Sequence, residues 1–210
     1  MFTKDIEQQA AVFDAIGERY DEVFAHKDGQ IAATRWLVER LRPGARVLDA
    51  GCGTGLPTAR ILADAGCDVL GVDISETVLA LARRNVPGAR FERMDMATMP
   101  VPAGPIDAIT AFFSLLMLPR ARIESLLQEW AGSVRTGGHI VLSMVEADLD
   151  HVELPFLGQT LRLSGYPRDQ LAEVLQDAGL DIHESQAIDY PPATPDAAPE
   201  TQLFYCCGVR

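Results

Sequence analysis

The sequence predicts an α/β fold: a doubly wound, mostly parallel sheet of seven strands with helices on both faces and a helical segment at the N-terminus. Three observations predict it. Short apolar, β-favouring runs recur along the chain, several of them ending on an acid. The first opens into the glycine-rich turn Gly51-Cys52-Gly53-Thr54-Gly55 and then a helical stretch, the unit whose ligands bind beyond the carboxyl ends of parallel strands. Finally, 48% apolar residues in a chain of 210 can bury one sizeable core.

Each element follows in order. Residues 5–25 carry Ile6, Ala10, Phe13, Ile16, Gly17 and Tyr20 near helical spacing, and residues 30–41 carry Ile31, Ala32, Trp36, Leu37 and Leu41 in the same manner. These helices either cover the edge of the sheet or form a lid over its ligand. Arg46 to Leu48 make the first strand, and Gly51, Gly53 and Gly55 permit positive φ and a close approach of backbone to ligand before a helix over 56–65. Val69 to Asp73 is the second strand, with a helix over 75–84; residues 91–96, 106–113 and 136–142 are the third, fourth and fifth. Residues 146–166 alternate around Gly158 as a hairpin would, and because they leave the carboxyl end of a parallel strand they are expected over the pocket. Pro167 starts a helix that Gly179 stops, and 180–190 and 201–209 are the last two strands, joined by a proline-rich surface connection. The chain therefore reads as one domain: 1–42 an N-terminal lid or cover, 44–145 the ligand-binding core, 146–166 a cap, and 167–210 the last helix and two strands.

The glycine spacing narrows the ligand. A dinucleotide fingerprint G-x-G-x-x-G starting at Gly51 needs a glycine at position 56, which is Leu56. Asp49 at the strand end would repel a pyrophosphate and suits a ligand with an ammonium group. In the run Asp49-Ala50-Gly51-Cys52-Gly53-Thr54-Gly55, with Asp73 and Asp95 at the next two strand ends, the chain resembles the class I methyltransferases that use S-adenosylmethionine, in particular bacterial small-molecule enzymes. The matches cover residues 44–145.

The resemblance implies a Rossmann-like fold, S-adenosylmethionine as methyl donor and S-adenosylhomocysteine as product. It places Asp49, Ala50, Gly51, Cys52, Gly53 and Gly55 around the methionine part and adenosine, Asp73 with Ile74 at the ribose hydroxyls, and Asp95 with Met96 at the adenine. It also implies a lid carrying Tyr20 and Asp21, with Phe112 completing the cofactor site.

Composition limits the partners. Thirty acids against 18 bases give a net charge of −12, and only Lys4 and Lys27 are lysines, so phosphate backbones and anionic membranes are poor partners and a small organic acceptor is expected. No apolar run approaches the roughly 20 residues of a membrane span, and the N-terminus lacks a signal-peptide pattern, so a cytoplasmic monomer or homodimer is expected. Cys52, Cys67, Cys206 and Cys207 form no C-x-x-C pair and read as reduced thiols. Metal-assisted transfer wants oxygen ligands at the fourth strand end, where Ala111, Phe112 and Phe113 stand, so no metal is expected.

Methyl transfer mainly asks for alignment in a dry pocket, which can remove roughly 7–11 kcal/mol of barrier. Phe112, Phe113, Leu115, Leu116 and Met117 would form an apolar wall or belong to ordinary core, with Phe113, Leu116 and Tyr166 toward the acceptor. If the acceptor holds a proton, as in O- or N-methylation, His26 and His151 are the candidate bases, with Glu146, Asp148 and Tyr166 as alternatives. The implied activity is methylation of a small organic acceptor, in secondary metabolism; a module that binds or senses the cofactor without catalysis is the alternative.

Overall fold

Period-two alternation along the strands divides the core into two layers. Val47, Ala108, Val141 and Cys206 face one side, while Leu48, Ile109, Ile140 and Cys207, each the next residue or the one before, pack on the other. Such strands must be covered on both faces. The computed structural model describes residues 4–17, 19, 22, 25–99, 104–191 and 199–210, with the side chain of Asp5 excepted.

The central strands are β1 (Arg46–Ala50), β2 (Asp68–Asp73), β3 (Arg90–Arg93), β4 (Ile106–Phe112), β5 (Val134–Val145), β8 (Leu180–Tyr190) and β9 (Glu200–Val209). They form one seven-stranded sheet in the order β3-β2-β1-β4-β5-β9-β8, parallel except for β9, which runs antiparallel to both neighbours. A separate antiparallel pair, β6 (Leu149–Phe156) and β7 (Gln159–Gly165), turns through Leu157 and Gly158, both at positive φ as a two-residue hairpin requires.

The described helices include α1 (Lys4–Ile16), α2 (Asp28–Val38), α3 (Thr58–Asp64), α4 (Glu76–Asn85), α5 (Arg120–Ala131) and α6 (Arg168–Asp177), with a 3-10 turn at Leu115–Met117. On one face, Trp36 and Leu37 of α2, Leu62 of α3 and Leu79 of α4 pack on Val47, Val69 and Val141. On the other, Ile123, Leu127 and Trp130 of α5 and Leu171 and Leu175 of α6 pack on Ile109, Ile140 and Leu142. Helix α5 was absent from the sequence-based elements, although its apolar residues lie at helical spacing. Helix α2 ends at Val38, earlier than its apolar periodicity suggests; α1 ends at Ile16, where Gly17 takes φ +51°, and Arg19 and Glu22 are again helical. The predicted Tyr20 and Asp21 lie outside the described residues.

Candidate active site

The sheet changes winding direction between β1 and β4: β2 and β3 extend one way from β1, and β5 extends the other way from β4. At such a point the connections part and leave a crevice above the strand ends. The glycine turn after β1 and the segment after β4 form its floor. Gly51 stands at φ +74° and Gly53 at φ +52°. A Cβ on Gly51 would overlap Ser114, whose hydroxyl donates to the Ala50 carbonyl at 2.7 Å, so glycine lets the two loops touch. A Cβ on Gly53 would meet nothing within 4 Å. Gly51 serves the fold; Gly53 keeps its side of the turn open.

Asp73, at the end of β2, holds this turn. One carboxylate oxygen accepts the Gly53 N–H and the other the Ser75 N–H, each at 3.0 Å. Burial pushes its carboxyl up while these bonds favour the ionised form. Both oxygens keep lone pairs for a ligand. Ser75 caps α4 by accepting from the Val78 N–H at 3.2 Å. Asp14 of α1 reaches the same helix start, accepting from the Ser75 hydroxyl and from the Thr77 N–H. With the 3.1 Å pair between Glu7 and Arg93, this fixes α1 across the crevice.

Asp49 lies beneath. Only 2% exposed, it accepts from the Thr110 hydroxyl at 2.7 Å through one oxygen, while the other has no hydrogen-bond partner among the described residues. Burial pushes its carboxyl up to about 7, against the pull of the Thr110 bond and with help from the nearby Asp73 charge. A buried carboxylate with an orphaned oxygen is a costly arrangement that a ligand cation would relieve.

Two cavities open above these groups. The first is walled by Gly51, Cys52, Gly53, Asp73, Ile74, Asp95, Met96 and Phe112 among the predicted cofactor residues. Asp95 closes its own turn, accepting from the Ala97 N–H at 2.9 Å and the Thr98 hydroxyl at 3.0 Å. Asp49, Ala50 and Gly55 are not on this wall: they lie behind the turn, where strand packing buries Asp49 and Ala50 and Gly55 abuts Val86 and Phe91. Gln9, Phe13 and Ile16 of α1 do line it, from a helix whose pattern gave no sign of which face would meet ligand.

The second cavity, of about 360 Å³, lies between β5, the β6–β7 hairpin, β9 and the start of α2. His26, Phe113 and Leu116 are on its wall. Tyr166 and His151 line neither cavity. The Tyr166 ring is 2% exposed beneath Arg120, whose guanidinium lies 4.5 Å from its centroid, with its hydroxyl against Glu124. His151 sits on β6, its N–H donating to the Ser164 hydroxyl.

Lys27, Gln30, Phe113 and Met117 line both cavities. Phe113 holds a left-handed backbone, φ +54°, rare for an aromatic residue and characteristic of strained functional positions. Its N–H donates to the Ser143 hydroxyl at 3.0 Å, and its ring meets Phe204 edge-on at 5.7 Å. Gly29 brings α2 to this point, since a Cβ there would collide with Phe204 and Ile188. Among the described residues, no group of three or more His, Cys, Asp or Glu is placed to hold a metal ion.

Sheet order, crevice and acid-bearing strand ends define a Rossmann-like α/β protein built to bind a nucleoside-type ligand. A methyltransferase-domain family profile matches residues 47–138. A ubiquinone biosynthesis O-methyltransferase from Acinetobacter baumannii (strain ACICU) is 26% identical over 178 residues, covering 76% of this chain and 74% of its own. Among solved structures, a DhpI–SAH complex superposes with a TM-score of 0.72 at 23% identity, each chain fully covered. The [4+2]-cyclase SpnF superposes at 0.73 and 21%, covering 99% of this chain and 98% of its own. Residues 47–138 thus carry a methyltransferase domain, and the protein is an enzyme that transfers a methyl group from S-adenosylmethionine to a small acceptor.

Proposed function

We propose that the first cavity receives S-adenosylmethionine, the second receives the acceptor, and the methyl group crosses where Lys27, Gln30, Phe113 and Met117 are shared. That shared wall is the observation on which the reading rests. The residues present fit the donor. Gly53 leaves room against the turn, Asp73 offers lone pairs to vicinal hydroxyls, Asp95 and Met96 provide an acceptor and an apolar surface for a base, and the buried Asp49 carboxyl behind the turn lends a negative field to an ammonium charge without touching it. When bound, the donor supplies an electrophilic methyl on a sulfonium.

The protein's part is alignment and dryness. Phe113, fixed by Ser143 and Phe204, and Met117 present an apolar surface at the junction, which excludes water from a reaction that dissipates charge. Helix α1, tied through Asp14 and Glu7, closes the donor cavity as a lid, residues 44–145 act as the donor-binding core, and 146–166 cap the acceptor. Of the two sequence-predicted bases, His26 is retained as proton acceptor for an O–H or N–H acceptor, since it lines the acceptor cavity. The enzyme works as a cytoplasmic monomer or homodimer, in keeping with its acidic surface and four buried free thiols.

The test is calorimetric titration with S-adenosylhomocysteine. Binding that disappears in Asp73→Ala while the variant keeps a cooperative unfolding transition supports the assignment; unchanged binding rejects it. Methyl transfer itself is read as S-adenosylhomocysteine release across a panel of small phenols, amines and acids.

A further inference from the structure

The acceptor cavity contains two carboxylates in different states. Glu146 is neutralised: it accepts from the Arg168 side chain at 2.7 and 2.6 Å and from its N–H at 3.2 Å. Glu200, at the start of β9, has no such partner. Its one hydrogen bond among the described residues comes from the Gln202 amide at 2.8 Å, and it forms no ion pair with them. The cavity wall that Glu200 shares carries the apolar Leu154, Pro155, Phe156 and Phe204 beside the polar Gln30, Ser164 and Gln202. The lysine on the described wall, Lys27, donates from its ammonium to the Leu56 carbonyl at 3.4 Å, on the donor side of the junction. A carboxylate held beside apolar surface with unfilled lone pairs favours a ligand that brings a donor and disfavours one that brings another negative charge. Burial pushes the Glu200 carboxyl up, against the pull of the Gln202 bond.

Resting on the assignment of the second cavity to the acceptor, we propose that Glu200 selects the acceptor class: a largely apolar molecule presenting an O–H or N–H to this carboxylate, with carboxylate-bearing acceptors rejected. Glu200 acts here as a specificity residue, and it stands apart from the donor cavity, whose wall it does not join.

Three probes with one bicyclic apolar body test this by calorimetry in the presence of S-adenosylhomocysteine: 2-naphthol, naphthalene and 2-naphthoate. In the wild type, 2-naphthol should bind about tenfold or more tighter than either of the others, the size of a hydrogen bond to a charged group. Glu200→Gln should bring 2-naphthol and 2-naphthoate to similar affinity while S-adenosylhomocysteine binding and the melting temperature stay unchanged. Leu154→Trp, which fills the cavity, should remove all three probes and keep the donor. The proposal is overturned if 2-naphthoate equals 2-naphthol in the wild type, or if Glu200→Gln leaves their ratio intact. If S-adenosylhomocysteine binds but no probe does, the acceptor-cavity assignment fails and this inference with it. Loss of S-adenosylhomocysteine binding in the wild type would instead reject the donor-cavity assignment.

Discussion

Asp49→Asn isolates the cost of the buried carboxylate behind the glycine turn. In the unfolded chain this group releases its proton near 3.8; in the folded protein burial holds the proton until about 7. Between those values the folded state binds more protons than the unfolded one, so the contribution of Asp49 to stability is complete below pH 4, falls as pH rises to 7, and then levels. Three units at about 1.4 kcal/mol each give roughly 4 kcal/mol across the whole window, and about 2 kcal/mol of it falls above pH 5.5. Asparagine keeps the acceptor for Thr110 but places an amide where the orphaned oxygen stands, a penalty of about 1–3 kcal/mol that does not vary with pH. Urea unfolding from pH 5.5 to 8.5 should therefore show the variant gaining on the wild type by about 2 kcal/mol as pH rises. On the proposed donor assignment, the ammonium of S-adenosylhomocysteine acts on Asp49 through the glycine turn, draws its carboxyl back down and should flatten the wild-type profile. A wild-type-minus-variant difference that is constant in pH would refute the reasoning.

Three further outcomes follow from the same geometry. Gly51→Ala combines left-handed strain of about 1–2 kcal/mol with an overlap against Ser114 of about 1–3 kcal/mol, and Ser114→Gly should recover the second part, so chemical unfolding of the double variant must depart from additivity. Gly53→Ala faces open space and should cost only the strain, about 1–2 kcal/mol, yet weaken S-adenosylhomocysteine about tenfold or more because the new methyl enters the donor cavity; equal losses at both glycines would contradict this. Asp14→Ala removes the contact of α1 with the start of α4 and should lower stability by about 0.5–1 kcal/mol while raising the S-adenosylhomocysteine dissociation rate in stopped-flow, with an unchanged rate arguing against a lid.

Particular residues show where sequence reasoning reached its limit. Gly51-x-Gly53, Asp73 and Asp95 were legible because glycine spacing and strand-end acids are local patterns that backbone geometry imposes directly. Asp49 was legible as an acid at the end of the first strand, but its withdrawal beneath the turn depends on β1 lying between β2 and β4. Tyr166 and His151 sit in the predicted cap, yet Tyr166 lies beyond β7 under Arg120 and His151 at the register shift of β6, and neither lines a cavity. Gln30 and Glu200, 170 positions apart by number, carried no motif. They reach one cavity only because α2 packs over β9 through Gly29, and β9 inserts between β5 and β8.

The sequence by itself determined the fold class and the methyl donor, since both rest on short-range spacing: period-two strands, a glycine turn, an acid at each successive strand end. The tertiary structure alone assembled the second cavity, to which the acceptor is proposed to bind. Its wall is assembled from β5, the hairpin, α2 and β9, and contacts between segments so distant in the chain leave no periodic trace in any one of them.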